Sequence, residues 1–322
     1  METNVAKICA VVVTYNRKDL LRVCLEALKS QTRELDSILV VDNASSDGTE
    51  EMLSEEFLSV KVISLKSNTG GAGGFYSGIR KAHEDGYDMF WLMDDDAEPS
   101  KNALEMLLSE PTAFQEDVVC LSGAVMDRSG AIAVNHRGYL NDPDKIILGW
   151  IQRPVPEELY KKRVVEIDTV SFVGPLIKRE VVTRIGYPMR EFFVHNDDIE
   201  YSMRLRKAGK VLLIGASTIR HFEAFTQSEN GKPFTRRFPE YGKLWLYYYG
   251  KRNLCYIAKR ERKSFSFFIL FFIKRLVLEI KTSIGLLLRA DHRIRRIFLP
   301  YMAMFNGLRG NFDNTVPRRW LY

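Results

Sequence analysis

Short apolar runs alternate with segments of helical periodicity through the first hundred residues of the chain. The runs have the length and composition of parallel strands that are buried on both faces. After the first run, Leu21, Leu25 and Leu28 recur at the spacing of an amphipathic helix. We therefore expect an α/β fold with a mostly parallel sheet, flanking helices and right-handed crossovers. The first four strands are predicted at 8–14, 37–41, 60–65 and 89–93.

The pattern becomes less regular after residue 100, where proline and charged residues interrupt the apolar runs. A turn of Asp, Arg, Ser and Gly between two apolar runs predicts a hairpin of 118–126 with 131–134. We interpret 136–163 as irregular and as a mobile loop over the sheet edge. The other predicted elements, in chain order, are helix 103–108, strand 166–173, a helix from about 178, helix 197–209, and strands 211–214 and 216–219.

Polar residues directly follow the predicted strands. Thr14, Tyr15, Asp42 and Asn68 each stand just after an apolar run. Because the carboxyl ends of parallel strands meet at one edge of a sheet, where such sheets bind ligands, we expect these side chains to line one crevice. Asn68 also precedes a glycine-rich loop, 70–74, which either forms a tight turn or lets backbone N–H groups approach a phosphate.

The strand at 89–93 ends abruptly in three carboxylates, Asp94, Asp95 and Asp96. Side chains alternate along a strand, so Asp94 and Asp96 are predicted to point one way and Asp95 the other. Adjacent charges at the end of a buried strand are tolerable when a hard divalent cation with oxygen ligands neutralises them. The alternative is a solvated acidic loop.

A second acidic cluster, formed by Asp197, Asp198 and Glu200, stands at the start of a predicted helix. Helix capping explains one carboxylate there, but it does not comfortably explain three within four residues. His221 follows the last predicted strand. A lone histidine has either a structural role or a ligand role, and the pattern leaves the two open.

Charge divides the chain more sharply than its net value of +6 indicates. From Lys251 onward, 16 Lys and Arg stand against 4 Asp and Glu, so the last 72 residues carry +12 and the first 250 carry −6. This tail contains an apolar run, 265–273, interrupted only by Ser266 and flanked by cations. The run is shorter than the about 20 residues that span a bilayer. It suits either an anionic membrane surface or a buried helix of a bundle or dimer interface.

Cysteine usage and the start of the chain bear on the compartment. The four cysteines lack metal-ligand or disulfide-framework spacing, which indicates reduced thiols. No signal peptide precedes the first predicted strand. Both observations favour a cytosolic location.

These motifs, in this order, resemble family 2 of the inverting glycosyltransferases with the GT-A fold. The resemblance extends from about residue 6 to about residue 260. The stretch 68–75 followed by 91–99 looks most like the galactofuranosyltransferase-like branch, with rhamnosyltransferases as close relatives. The residues that carry the resemblance are 11–16, 40–49, 68–71, 94–96, 196–200 and His221.

The resemblance implies a role for each matched residue. Asp198 matches the catalytic base, and Asp197 stays as the alternative because it replaces the glutamate of the family pattern. Asp42 would accept a hydrogen bond from the uracil N–H, and Mn²⁺ or Mg²⁺ would bind the acidic run. The predicted site comprises Thr14, Tyr15, Asn16, Asp42, Asn68, Gly70, Gly71, Asp94 and Asp95 for the donor, Asp94, Asp96 and His221 for the metal, and Gly174, Glu200 and Arg252 for the acceptor.

The resemblance also implies an activity and a setting. We expect transfer of a sugar from a nucleotide-sugar, with UDP-galactofuranose favoured, to a polyprenyl-diphosphate-linked glycan during bacterial surface-polysaccharide synthesis. The catalytic domain would comprise 1–230, with a nucleotide-binding half to about 110, and a basic helical region, 231–322, would contact the acceptor and the membrane. The protein would be cytoplasmic and peripheral on the inner face of the plasma membrane, without a nucleic-acid partner. Self-association stays open.

Other functions fit parts of the same pattern. A rhamnosyl-, glucosyl- or galactosyltransferase would use the same fold with another donor. A sugar-nucleotide pyrophosphorylase would share the nucleotide-binding half, but it needs a basic glycine-rich loop after the first strand, and 15–17 is a poor substitute. A non-catalytic, membrane-associated scaffold would keep the fold and the tail.

Overall fold

The structure is a computed structural model that describes residues 6–141, 151–222, 241–262, 264–289 and 291–321. Strands and helices are numbered in chain order within those residues. The strands are β1 (Ile8–Thr14), β2 (Ser37–Asp42), β3 (Lys61–Ser64), β4 (Met89–Asp94), β5 (Ala97–Pro99), β6 (Val118–Met126), β7 (Arg137–Leu140), β8 (Gln152–Pro154), β9 (Val165–Ile167), β10 (Thr169–Val170), β11 (Leu176–Lys178) and β12 (Lys210–His221). The helices are α1 (Lys18–Lys29), α2 (Thr49–Glu56), α3 (Gly70–Glu84), α4 (Ala103–Leu108), α5 (Arg179–Ile185), α6 (Asp197–Ala208), α7 (Leu244–Arg260), α8 (Phe265–Arg289), α9 (Arg293–Arg309) and α10 (Val316–Leu321).

The main sheet has nine strands in the order β3-β2-β1-β4-β11-β6-β12-β5, and β9 also pairs with β12. The first four strands in the chain run parallel, as the alternating pattern predicts. Strand β11 enters antiparallel between β4 and β6, whereas β6 and β12 are parallel. The predicted α/β fold is therefore confirmed, and the strands that join after β4 make the sheet a mixed one.

Strand β1 lies in the middle of the apolar core. All of its residues are buried, and their side chains alternate between two apolar layers. Val12 packs in the layer that contains Leu25 of α1, and Val11 packs in the layer that contains Ile79 of α3. Burial on both faces explains why this strand is a continuous apolar run in the sequence.

The glycine-rich segment differs from the prediction, because residues 70–74 form the first turns of α3 and not a loop. A Cβ atom on Gly74 would lie 2.4 Å from Val13 Cγ1, and one on Gly78 would lie 2.4 Å from Val11 Cγ1. Glycines at these positions therefore let α3 approach the sheet closely. The close packing of α3 on the sheet is sufficient to explain these two glycines, so no phosphate contact is needed to explain them.

Three predicted elements after residue 100 also differ. The expected hairpin is confirmed only in part: 131–134 folds back on the end of β6 through an isolated antiparallel bridge between Ile132 and Met126, and it does not form a strand. The strand predicted at 166–173 is two short strands, β9 and β10. The last two predicted strands are one long strand, β12, with an irregularity between Ile214 and Thr218. The segment 136–163 contains β7 and β8, and 142–150 lies outside the described residues.

The described residues form two compact units. One contains 6–139, 153–190 and 198–222, and the other contains 140–141, 151–152, 191–197 and most of 241–321. In the second unit, Tyr248 of α7 and Leu299 of α9 are fully buried in one apolar cluster. Within the described residues, no helix has both the length and the apolar character needed to cross a bilayer.

Candidate active site

The strand register brings the predicted donor and metal segments to one edge of the sheet. Thr14 stands opposite Asp42 in the β1–β2 ladder, and Val13 stands opposite Asp94 in the β1–β4 ladder. Thr14, Asp42 and Asp94 are the last residues of their strands, so the polar segments that follow emerge side by side. The carboxyl ends of β1, β2 and β4 therefore meet at one edge of the sheet, as the order of strands and loops predicts, and the crevice expected there remains a prediction.

His221 joins the acidic run through backbone pairing at the end of β12. It stands opposite Ala97 of β5, directly after the run, and the Phe222 N–H donates to the Asp96 carbonyl at 2.9 Å. His221 Nε2 lies 2.8 Å from Asp96 Oδ1 and 3.8 Å from Asp94 Oδ2. The structure thus brings together the three residues predicted as metal ligands, and Asp94 and Asp96 do point to the same side.

This group has the composition of a divalent-cation site. One ligand atom from each of Asp94, Asp96 and His221 lies within 4.8 Å of the others. Carboxylate oxygens suit Mg²⁺ and Mn²⁺, and an imidazole nitrogen is more usual around transition-metal ions. The residues present therefore fit a divalent cation, and of the two predicted ions they fit Mn²⁺ better.

The pKa values of the carboxyl groups in the acidic run are shifted in different directions. Burial, reinforced by the Asp96 carboxylate, raises the pKa of Asp94 to about 7. Burial also raises the pKa of Asp95 to about 6. Burial acts in the same direction on Asp96, but the hydrogen bond and charge of His221 outweigh it and hold the pKa of Asp96 below its usual value. A divalent cation would favour the ionised form of all three.

Arg17 is a part of this site that the sequence reasoning missed. Its Nη1 atom lies 3.1 Å from Asp95 Oδ1 and 3.0 Å from Asp96 Oδ2. Asp95 Oδ2 also accepts hydrogen bonds from Thr14 Oγ1 at 2.8 Å and from the Tyr15 N–H at 3.4 Å. Asp95 therefore ties the end of β1 to the acidic run, and its contact with the donor remains a prediction. The position of Arg17 just after β1, at the same sheet edge, was the available signal.

The loops after β1 and β2 hold each other through polar contacts. Asn16 has a left-handed backbone with φ of 53°, and its Oδ1 accepts from the Ser46 N–H at 2.7 Å. Asp42 Oδ1 accepts from the Ser45 N–H at 3.0 Å. The Tyr15 side chain is 44% exposed, so an aromatic ring stands open beside these loops. Asn16 and Asp42 thus shape the predicted donor pocket, and Tyr15 offers it a free surface.

Buried Asn43, also missed from the sequence, holds the third loop. Its Oδ1 accepts from the Thr69 N–H at 2.8 Å, and its Nδ2 donates to the Gly70 carbonyl at 2.8 Å. Asn68 Oδ1 accepts from the Gly70 N–H at 2.7 Å. A Cβ on Gly71 would meet no atom within 4 Å. Asn68 and Gly70 therefore build the turn into α3, and the donor contacts predicted for Asn68, Gly70 and Gly71 stay predictions.

Asp198 occupies the first turn of α6 and has an unusual environment for a carboxylate. Burial raises its pKa to about 6, and its Oδ1 accepts a hydrogen bond from the Ile199 N–H at 2.7 Å. Arg137, fully buried on β7, supplies a nearby positive charge that favours the ionised form. A carboxyl group poised near neutrality is suited to proton transfer. Asp197, the alternative base, is also nearly buried.

A chain of contacts runs from the metal-ligand group toward Arg137. The rings of His221 and His136 meet edge to face, with centroids 5.0 Å apart. His136 Nδ1 lies 2.8 Å from Ser171 Oγ, which lies 3.4 Å from Arg137 Nη1. These three residues come from segments that the sequence reasoning interpreted as irregular or as plain strand. They connect the first acidic cluster to the cation beside Asp198.

Comparison with known proteins decides the family. The model of glycosyl transferase family 2 matches residues 9–186, which is more than half of the chain. The chain belongs to glycosyl transferase family 2. The galactofuranosyltransferase GlfT1 of Mycolicibacterium smegmatis is 30% identical over 218 residues, covering 64% of this chain and 68% of the relative. An undecaprenyl-phosphate mannosyltransferase of Micrococcus luteus is 33% identical over 105 residues, covering 32% of this chain and 43% of that relative.

The fold of this family 2 glycosyltransferase also has counterparts among solved structures. The crystal structure of GalNAc-T7 with UDP, GalNAc and Mn²⁺ matches with a TM-score of 0.55 and 18% sequence identity. The match covers 69% of this chain and 45% of that one. At such low identity the likeness concerns the fold alone, and it confirms the expected GT-A architecture.

The acceptor residues predicted for this glycosyltransferase have structural contacts. Arg252 is fully buried, and its Nη2 donates to the Glu191 and Phe192 carbonyls at 2.9 and 3.0 Å. Its guanidinium is enclosed and holds a backbone loop, and its contact with acceptor phosphates remains a prediction. Glu200 is likewise fully buried and pairs with Arg204 at 2.7 Å. Its acceptor contact also remains a prediction.

Gly174 has a backbone role that its neighbours require. Its φ is 81°, and a Cβ atom there would lie 2.0 Å from Ile219 Cδ1. Its N–H donates to the Leu92 carbonyl at 2.7 Å, and its carbonyl accepts from Trp91 Nε1 at 3.1 Å. These contacts are sufficient to explain a glycine at this position. A contact between Gly174 and the acceptor remains a prediction.

Proposed function

We propose that this family 2 glycosyltransferase is an inverting enzyme that transfers galactofuranose from UDP-galactofuranose to a lipid-linked glycan. The observation that carries the proposal is the convergence of Asp94, Asp96 and His221 at the carboxyl edge of the sheet. Two carboxylates and an imidazole beside Arg17 form a site for a divalent cation and the diphosphate of a nucleotide-sugar. Mn²⁺ or Mg²⁺ bound there would offset the charge that develops on the departing UDP.

The chemistry then needs one base. Asp198 would accept the proton of an acceptor hydroxyl as its oxygen attacks the anomeric carbon from the face opposite the diphosphate. The C–O bond to UDP breaks as the new glycosidic bond forms, so the configuration inverts in a single displacement. The pKa of about 6 leaves Asp198 ionised at neutral pH and still basic enough to take a proton.

The choice of donor rests on the relatives. A galactofuranosyltransferase is 30% identical to this chain, and the GalNAc-T7 structure of the same fold contains UDP and Mn²⁺. In the proposed complex, Tyr15 stacks on the uracil, Asp42 accepts its N–H, and Asp94 meets the ribose or the sugar. Rhamnosyl, glucosyl and galactosyl donors are the alternatives, since one ring-size difference is worth only a few kcal/mol.

A different relative and the charge of the tail support the proposed acceptor and location. The Micrococcus luteus relative is named for a polyprenyl phosphate, which supports a polyprenyl-diphosphate-linked glycan as the acceptor here. The C-terminal segment carries +12 from Lys251 onward. Peripheral attachment to the inner face of the plasma membrane, during cell-surface polysaccharide synthesis, would bring the enzyme to such an acceptor.

Release of the nucleoside diphosphate, UDP or dTDP, from purified nucleotide-sugars tests the proposal. UDP-galactofuranose, UDP-galactopyranose, UDP-glucose and dTDP-rhamnose would each be incubated with the protein and Mn²⁺. We expect the fastest release from UDP-galactofuranose, loss of release with Asp96→Ala, and normal release with Asp19→Ala, which removes a surface carboxylate. Faster release from another sugar would overturn the donor assignment. No release from any of them would favour the non-catalytic scaffold.

A further inference from the structure

Helix α8 presents a continuous apolar stripe to solvent. Its members are separated by three or four residues, so they lie along one face of the helix. From Ile269 to Leu287 the stripe is about 27 Å long at 1.5 Å per residue. The stripe consists of six side chains that are 39% to 55% exposed: Ile269, Ile273, Val277, Ile280, Ile284 and Leu287.

The opposite face of α8 fixes this orientation. Phe271 and Leu286 are buried on that side, with 3% and 5% of their surface exposed. Glu279 is 1% exposed and pairs with Lys251 of α7. A buried charge pair keeps this face inward, because turning the helix would separate Glu279 from its partner. The apolar stripe is therefore the outer face of an anchored helix.

The exposed charged side chains described on α8 are positive. Lys274 and Lys281 are exposed and seven residues apart, so they lie along the same edge of the stripe. Glu279, turned inward, is the only acidic residue of α8. Helix α9 of the same compact unit contains no acidic residue, and it exposes Ile294 and Phe298 beside arginines.

We propose that the apolar stripe of α8 docks on an anionic membrane surface, with the helix axis in the membrane plane. Aliphatic side chains would enter the boundary between headgroups and acyl chains, while the flanking lysines contact lipid phosphates. A second copy of the chain fits less well. Two such faces in a symmetric dimer would bring like charges together without an acidic side chain of α8 to pair with them.

This inference deepens the proposed function, on which its biological purpose rests, yet it can be tested without donor or acceptor. The full chain would be floated with phosphatidylcholine vesicles and with vesicles of phosphatidylcholine and phosphatidylglycerol in equal parts. We expect binding to the anionic vesicles only. Ile273→Glu with Ile280→Glu should lower the partition coefficient at least tenfold, because both charges would enter the apolar boundary.

A second pair of substitutions and a matched control separate lipid binding from misfolding. Lys274→Ala with Lys281→Ala, which leaves the stripe intact, should lower binding to anionic vesicles about tenfold or more. The control, Leu58→Glu with Val62→Glu, places the same charges at exposed apolar positions of the other unit and should bind as the unmodified protein does.

Two outcomes would overturn the proposal. One is that the unmodified protein does not bind anionic vesicles, or that Ile273→Glu with Ile280→Glu binds them as well as Leu58→Glu with Val62→Glu does. The other is a dimer, measured by light scattering, that only Ile273→Glu with Ile280→Glu dissociates, without vesicle binding by the unmodified protein. The latter would assign the stripe to a second copy. Normal vesicle binding with no UDP release would leave the docking surface in place and refute the proposed function instead.

Discussion

Replacing Asp198 with asparagine is expected to stabilise the protein while it removes activity. The Asp198 pKa is raised by burial from 3.8 to about 6. For an acid whose pKa is raised by folding, the stabilising effect is complete below the unfolded-state pKa and is lost as the pH rises through the folded-state pKa. Each pKa unit corresponds to about 1.4 kcal/mol. At pH 7, ionisation of the Asp198 carboxyl group therefore lowers the unfolding free energy by at most about 3 kcal/mol. Asparagine is uncharged and avoids this cost.

Chemical denaturation and turnover measure the two effects separately. Unfolding in urea at pH 7 should require up to about 3 kcal/mol more for Asp198→Asn, with little difference near pH 4. Turnover should fall about 10²- to 10⁴-fold, the usual contribution of a general base, with UDP affinity nearly unchanged. Turnover of the unmodified protein should be about tenfold lower at pH 5 than at pH 7, because less of Asp198 is ionised.

Asp197→Asn is the matched comparison, since the family pattern leaves the two carboxylates open as base. We expect this variant to retain most of the turnover of the unmodified protein, and its turnover should still fall as the pH is lowered through about 6. If Asp197→Asn were the inactive variant, the base would be reassigned. If Asp198→Asn were fully active, or less stable at pH 7 than the unmodified protein, the reasoning from its burial would be refuted.

Three other substitutions test the contacts around the site. Arg17→Ala leaves two buried carboxylates without the Arg17 cation and should lower the unfolding free energy by about 1–3 kcal/mol in EDTA, and by less in Mn²⁺. Arg22→Ala, which removes an exposed ion pair, should leave the urea midpoint nearly unchanged. His136→Ala should weaken Mn²⁺ binding about tenfold in calorimetry by freeing the His221 ring, and His136→Phe, which keeps a packed ring, should restore most of the affinity. Arg252→Ala should lower the unfolding free energy by about 3 kcal/mol or more, and an unchanged urea midpoint would contradict its role in holding the backbone loop.

Part of this architecture can be predicted from the sequence because it depends on local patterns. The four parallel strands follow from their apolar runs, and the shared edge of their carboxyl ends follows from their parallel orientation. The grouping of Asp94, Asp96 and Thr14 is a consequence of that edge. His221 was found only through the family resemblance, since a single histidine has no period.

The remainder depends on pairings between distant segments that no period reports. Strand β11 enters between β4 and β6, and β7, which follows His136, pairs with β10 and β8 in a second sheet. Arg17 and Asn43 act through contacts with residues 26 to 79 positions away. Gly74 illustrates the opposite error: a composition typical of a phosphate loop reflects the close packing of α3 on Val13.

The most direct test of the central claim is the binding of UDP measured by calorimetry with Mn²⁺ and with EDTA. The account predicts that UDP binds in Mn²⁺ and that EDTA, or Asp96→Ala in Mn²⁺, weakens binding at least tenfold, while Asp19→Ala changes nothing. Equal UDP affinity in Mn²⁺ and in EDTA for the unmodified protein would contradict it.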